Sequence, residues 1–184
     1  MTTALLLMDF QNGIAGRPGY EAAVERAARA LDAARRTGAP VIFVRIGFRP
    51  GLPEVAAGRA FGARMAGAGD AMLLDHPGTQ IVDRLAPREG EPVVVKKRIS
   101  AFAGSDLEVL LRSLGADHLV LAGIATSGVV LSTVRQAADL DYRLTVLADA
   151  CADGDDEVHR VLTEKVFPRQ ATVTTVDEWM RDLG

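Results

Sequence analysis

Cysteine is almost absent from this sequence: Cys151 is the only one among 184 residues, so no internal disulfide can form. That scarcity makes the cytoplasm the expected compartment. Histidine is nearly as rare. His76, His118 and His159 are scattered, no Asp/His pair has ligand spacing near the first apolar segment, and neither a metal nor another cofactor is expected. Positive charge is not in excess, since 21 Lys+Arg against 24 Asp+Glu leave a net charge of −3. Without a basic block, neither nucleic acid nor an anionic membrane surface is an expected partner. No apolar run approaches the ~20 residues of a membrane span. The N-terminal apolar stretch is short and has no charged region ahead of it, so a signal peptide is not expected either. A glycine-rich phosphate loop is missing: the first apolar run leads into Asp9-Phe10-Gln11-Asn12-Gly13, which argues against a nucleotide-binding Rossmann protein.

What remains is ordinary globular material, 48% hydrophobic and 24% charged, of a length that fits one domain, residues 1–184. Ala4–Met8 is a short apolar run without alternation. Such a run reads as a strand buried on both faces, the mark of a parallel sheet. Tyr20–Thr37 carries Ala23, Ala27, Ala30, Leu31 and Ala34 at helical spacing and ends at Gly38. Pro40–Ile46 is the second strand. Gly47–Gly69, rich in Gly, Pro and Ala, reads as a long loop of the kind used as a lid or binding loop. Thr79–Leu85 is compatible with a short strand or a helix. Pro92–Lys96 is the third strand, and Ser105–Gly115 a helix with Ser105 as N-cap and Glu108 completing a capping box. Asp117–Ala122 is the fourth strand, Gly123–Ser127 a turn, and Val129–Leu140 a helix. Arg143–Leu147 is the fifth strand, its segment ending at Asp149 with Cys151 just beyond. Asp155–Phe167 is a helix behind the acidic turn Asp153–Asp156, which suits a positive helix N-terminus. Ala171–Thr174 is a weak sixth strand, and Val176–Leu183 a closing helix.

Strands alternating with helices specify an α/β fold built of βαβ units. Right-handed crossovers then bring the carboxyl ends of the strands to one edge, where ligands bind in such sheets. Asp9, Lys96 and the Gly123–Val129 turn all fall on that edge. An acid set there by a rigid strand is a candidate general acid/base.

Four segments, MDFQNG (8–13), VVVKKRISAF (93–102), GIATSGVVLSTVRQAADLDY (123–142) and VLADAC (146–151), together resemble the isochorismatase-like hydrolase family. The resemblance covers nearly the whole chain. It implies a three-layer α/β/α fold with a six-stranded, mainly parallel sheet of order 3-2-1-4-5-6. It also implies a homodimer or higher homo-oligomer acting on a small-molecule substrate. The family uses an Asp, Lys, Cys triad. Its Asp lands on Asp9, and its Lys, four residues before the Ser of a Ser-Ala-Phe motif, lands on Lys96. Lys97 would alternate to the other side of the strand.

The chain departs from the family at the nucleophile. Counting six residues on from Gly123 reaches Val129, or Gly128 if the alignment slips by one, and neither carries a nucleophilic atom. Thioester chemistry is therefore not expected. The family's isochorismatases also lack the Cys and cleave an enol ether by protonation, which needs an acid with a raised pKa and a cation but no thiol. Their Ala-His pair is Thr126–Ser127 here. The expected site is Asp9 as acid/base and Lys96 as anion-holding partner. Thr126, Ser127, Gly128 and Val129 offer amides to the reacting oxygen, while Phe10, Gln11, Phe48, Phe102 and the 47–69 loop shape the pocket. Two alternatives stay open: an inactive metabolite-binding protein, and an amide hydrolase using Ser127, Ser132 or Cys151 as nucleophile.

Overall fold

The computed structural model describes residues 2–56 and 58–183. Six strands form one parallel sheet: β1 (Thr2–Met8), β2 (Val41–Ile46), β3 (Val93–Lys96), β4 (Ala116–Ile124), β5 (Arg143–Ala152) and β6 (Thr172–Thr174). Their spatial order is β3-β2-β1-β4-β5-β6, as expected. The first strand is central. Leu5, Leu6, Leu7 and Met8 are all buried, because β1 is covered on both faces. Helices α1 (Glu21–Thr37) and α6 (Val176–Asp182) cover one face through Ala27, Ala30, Leu31, Val176 and Trp179. On the other face lie α3 (Leu107–Ser113), α4 (Leu131–Asp139) and the segment after α5 (Asp156–Val161), through Leu107, Leu111, Val134, Leu162 and Phe167.

Several boundaries differ from the sequence reading, each for a local reason. The 47–69 segment is not all loop: α2 (Ala60–Ala68) forms within it and packs Met65 with Ile46 and Phe48 as a third small core. Residues 79–85, left open between strand and helix, hold the single-turn helix Asp83–Leu85, and an isolated bridge from Ile81 to Gln11 separates it from another single turn at Pro77–Thr79. The capping box expected at Ser105 does not form. Ser105 Oγ instead donates to Ala101 O at 2.7 Å, the N-cap is Asp106, and Glu108 pairs with Arg112 one turn on. The reciprocal box occurs at Thr175 and Glu178, opening α6. Regular helix α4 begins at Leu131 rather than Val129, behind a wider turn over Thr126–Val130. Strand β5 runs on through Cys151. Register slips between Leu121 and Gly123, leaving Gly123 opposite Cys151, and the thiol is part of the sheet rather than of a loop after it.

Gly123 shows why the edge is so closely packed. A Cβ there would sit 2.8 Å from Met8 O and 3.0 Å from Met8 Cβ, so only glycine lets β4 lie this close to the end of β1. Gly123→Ala is expected to lower unfolding stability by roughly 1–3 kcal/mol in a denaturant titration. Gly128→Ala is the control: its Cβ would meet only Ala125 Cβ, at 3.9 Å, and should leave stability within about 0.5 kcal/mol of the parent.

Candidate active site

Asp9 is the first residue past β1. Its amide still donates to Val44 O at 2.8 Å, but its φ of 58° turns the carboxylate out of the strand plane. A non-glycine residue in the left-handed region is uncommon, and Asp is among the few that tolerate it. Lys96 is the last residue of β3, two strands away. Its ammonium reaches past the end of β2 and lies 3.0 Å from Asp9 Oδ2. Both are buried, Asp9 5% exposed and Lys96 2%. Lys96 Nζ also donates to Arg98 O at 3.0 Å. An ammonium has three N–H donors, so one remains. On the acid, Oδ1 is buried without a hydrogen-bond partner among the described residues. Burial pushes the Asp9 carboxyl above the ordinary carboxylate value, and the charge and hydrogen bond of Lys96 offset this only in part. The pair thus presents a desolvated acid with one free oxygen beside an amine with one free proton.

Lys97 points the other way, as strand alternation requires. Its ammonium donates to Gly47 O at 2.6 Å, lies 5.8 Å over the Phe48 ring and stands 3.8 Å from Glu54. Arg98 donates to Glu54 O and stacks over Phe61. The Lys96-Lys97-Arg98 run therefore ties the acid–amine pair to the 47–69 segment.

The remaining expected site residues fall less simply. Phe10 is fully buried in the core against α1, and Phe48 is enclosed in the third core with Phe61 at its edge. The chain leaving each strand end turns its ring inward. Phe102 packs against Tyr142 on the other face of the sheet. Gln11 is buried and both its amide hydrogens are used: Nε2 donates to Ile46 O and Thr79 O at 2.9 and 3.0 Å, and Oε1 accepts from Ile46 N at 2.9 Å. Its side chain straps Ile46 to Thr79. The turn amides are not all free. Ser127 N donates to Asp153 Oδ2 at 2.7 Å and Gly128 N to Ala125 O at 3.1 Å, which removes two of the four expected donors. Ser127 is exposed, Val129 is buried among the second core, and the Thr126 hydroxyl sits 2.8 Å from His159 Nδ1.

Two residues at this edge were not singled out from the sequence, His159 and Asp153. His159 follows Thr126 by a helix, a strand and a turn, a separation no motif spacing encodes, and Asp153 reads in the sequence only as part of an acidic helix start. Asp155 is the residue that caps α5, through Glu157 N and Val158 N. Among the described residues no cluster of three or more His, Cys, Asp or Glu side chains is arranged to hold a metal ion. No described helix is long and apolar enough to cross a membrane.

The Isochorismatase domain model matches residues 3–178. The uncharacterized isochorismatase family protein YecD of Escherichia coli O157:H7 is 33% identical over 186 residues, an alignment covering 99% of this chain and 96% of that protein. Maleamate amidohydrolase of Pseudomonas putida is 31% identical over 98% of this chain and 86% of its own length. Among solved structures, an isochorismatase family protein from Burkholderia thailandensis superimposes with a TM-score of 0.89 at 29% identity, over 99% of this chain and 95% of that one.

Two measurements check the site as described. Lys96 lowers the Asp9 pKa, so in Lys96→Met the Asp9 carboxyl should titrate higher still by 13C NMR; a downward move would contradict the pairing. Burial pushes the Cys151 thiol up to about 12. The folded protein at pH 8 should therefore resist iodoacetamide, while the urea-unfolded chain takes up one equivalent readily.

Proposed function

The chain belongs to the isochorismatase family, and from that premise we propose that it hydrolyses a vinyl ether on a small carboxylate-bearing metabolite by acid catalysis, without a covalent intermediate. The observation that carries this reading is the buried Asp9–Lys96 contact, with Asp9 Oδ1 unpartnered among the described residues. An acid whose pKa burial has raised keeps its proton at a pH where an ordinary Asp has lost it, which is what a general acid needs. Protonated Asp9 transfers that proton to the terminal vinyl carbon. The carbon bearing the ether oxygen becomes an oxocarbenium ion, and water adds to it. The proton released by the water returns to the Asp9 carboxylate, and the resulting hemiketal collapses to a ketone and an alcohol. Lys96 stabilises the carboxylate left after the first step and offers its remaining N–H to the substrate's anionic group.

Amide hydrolysis, the activity in the name of the Pseudomonas relative, is the second reading. On this chain it would draw on Ser127, Ser132 or water directly, because Val129 and Gly128 carry no nucleophile and Cys151 is buried in β5 with its thiolate disfavoured. Among vinyl ethers and primary amides of small carboxylic acids, the former should be turned over. Asp9→Asn should lower kcat by about 10²–10⁴-fold. The parent's kcat should fall as pH rises through the raised Asp9 pKa, because the acid form is the active one. A fully active Asp9→Asn variant would remove Asp9 from the reaction. Tight binding of these compounds without turnover would identify a binding protein instead.

A further inference from the structure

The turn between β4 and α4 is held from outside by a segment distant in sequence. Met8 pairs with Gly123, so Asp9 lies at the level where β4 gives way to this turn. Val130 Cγ2 approaches within 3.3 Å of where a Gly123 Cβ would stand, so the turn folds back over the strand ends. Two polar contacts anchor it, one from the connection between β5 and α5 and one from α5 itself. Asp153 Oδ2 accepts from Ser127 N at 2.7 Å, and His159 Nδ1 meets Thr126 Oγ1 at 2.8 Å. Thr126 is fully buried, and among the described residues this imidazole nitrogen is the only partner of its hydroxyl. His159 itself is half-buried on the first turns of α5. Its amide bonds Asp155 O and its carbonyl accepts from Thr163, so its backbone is fixed on both sides.

This geometry means that the imidazole decides which way the Thr126 hydroxyl points. When Nδ1 is bare, the hydroxyl must donate to it and presents only lone pairs elsewhere. When Nδ1 carries a proton, the hydroxyl oxygen accepts it and its own hydrogen is released to another acceptor. A buried hydroxyl with one partner has no other way to be satisfied.

We infer that His159 is a positioning residue for the reaction at Asp9: acting through the Thr126 hydroxyl, and together with Asp153, it holds the 126–130 turn against the strand ends where the substrate's reacting carbon sits. The inference rests on the function proposed above for its kinetic part, but not for its structural part. Lys96 grips the anion independently of this turn, so loss of the brace should fall on kcat rather than on KM. A small misplacement of a reacting group costs a large factor in rate.

The test is a double-mutant cycle with two readouts. By 15N NMR, Thr126→Val should shift the His159 ring nitrogens, and His159→Leu should speed amide hydrogen exchange at residues 127–130 while leaving the β1 and β4 amides unchanged. With a vinyl-ether substrate, His159→Leu should lower kcat by about tenfold or more with KM within about twofold. His159→Asn, which keeps a polar atom near the Nδ1 position, should recover most of the loss. The Thr126→Val/His159→Leu pair should be no slower than either single variant. An unchanged kcat in His159→Leu, or an additive cycle, overturns the positioning role. A parent protein inert toward vinyl ethers, with the exchange change intact, sinks the proposed reaction and leaves the brace standing. Inertness together with unchanged exchange overturns both.

Discussion

A carboxyl and an ammonium, both out of water and 3.0 Å apart, are the contact on which the rest of this structure turns. Bringing two charges into an interior costs several kcal/mol per ion, and their attraction offsets that only when the geometry is held rigidly. Here the rigidity is supplied by the sheet. Asp9 and Lys96 leave strands that do not touch, and β2 between them fixes the spacing through its register with both, Val44 against Met8 and Ile46 against Lys96. The apolar runs of β1 and β2 are therefore more than core. They are the ruler that sets the distance between acid and amine, and the burial they impose raises the acid's proton affinity. Fold and chemistry meet at this one pair.

The same constraint explains what could be read from the sequence. Unbroken apolar runs ending in a charged residue gave away β1 and β3, and a charge at the end of a buried strand has few places to go but the carboxyl edge. Family motifs, not periodicity, supplied the strand order and the choice of Lys96, and alternation along β3 then placed Lys97 on the opposite side, where it is found against Phe48 and Glu54. The ends of elements were less legible. Ser105 looks like a helix cap until the tight turn before it claims its hydroxyl for Ala101, and that turn is itself pinned from α4 by Thr133. Cys151 looks like a loop residue because a slip in register extends β5 beyond its apolar stretch.

The site's margins were the least legible part, because they are made by contacts across long separations. Aromatic residues next to a strand that ends in a candidate acid suggest a pocket lining, and Phe10 and Phe48 are turned into separate cores. Glutamine in the Asp-Phe-Gln motif suggests a substrate ligand, yet both its amide hydrogens go to the main chain of Ile46 and Thr79 and its oxygen takes the Ile46 amide. His159 reads as one scattered histidine among three until the fold lays α5 beside the 126–130 turn. In each case local chemistry was visible and its partner was not, since the partner is chosen by topology.

The strap made by Gln11 has a wider meaning. Residues 47–78 leave the sheet after Ile46 and come back beside its end at Thr79, before the chain re-enters the sheet at Val93, and one amide side chain clasps Ile46 to Thr79. Main-chain bonds of Phe48 with Met72 and Leu74 stitch the same neck just above it. What lies beyond that neck is held to the strands below at a few points, among them the clasp itself, Met65 against Ile46, and the contacts of Lys97 and Arg98 with Gly47 and Glu54. A replacement cassette that kept those points of attachment would leave the spacing of Asp9 and Lys96 as the sheet sets it.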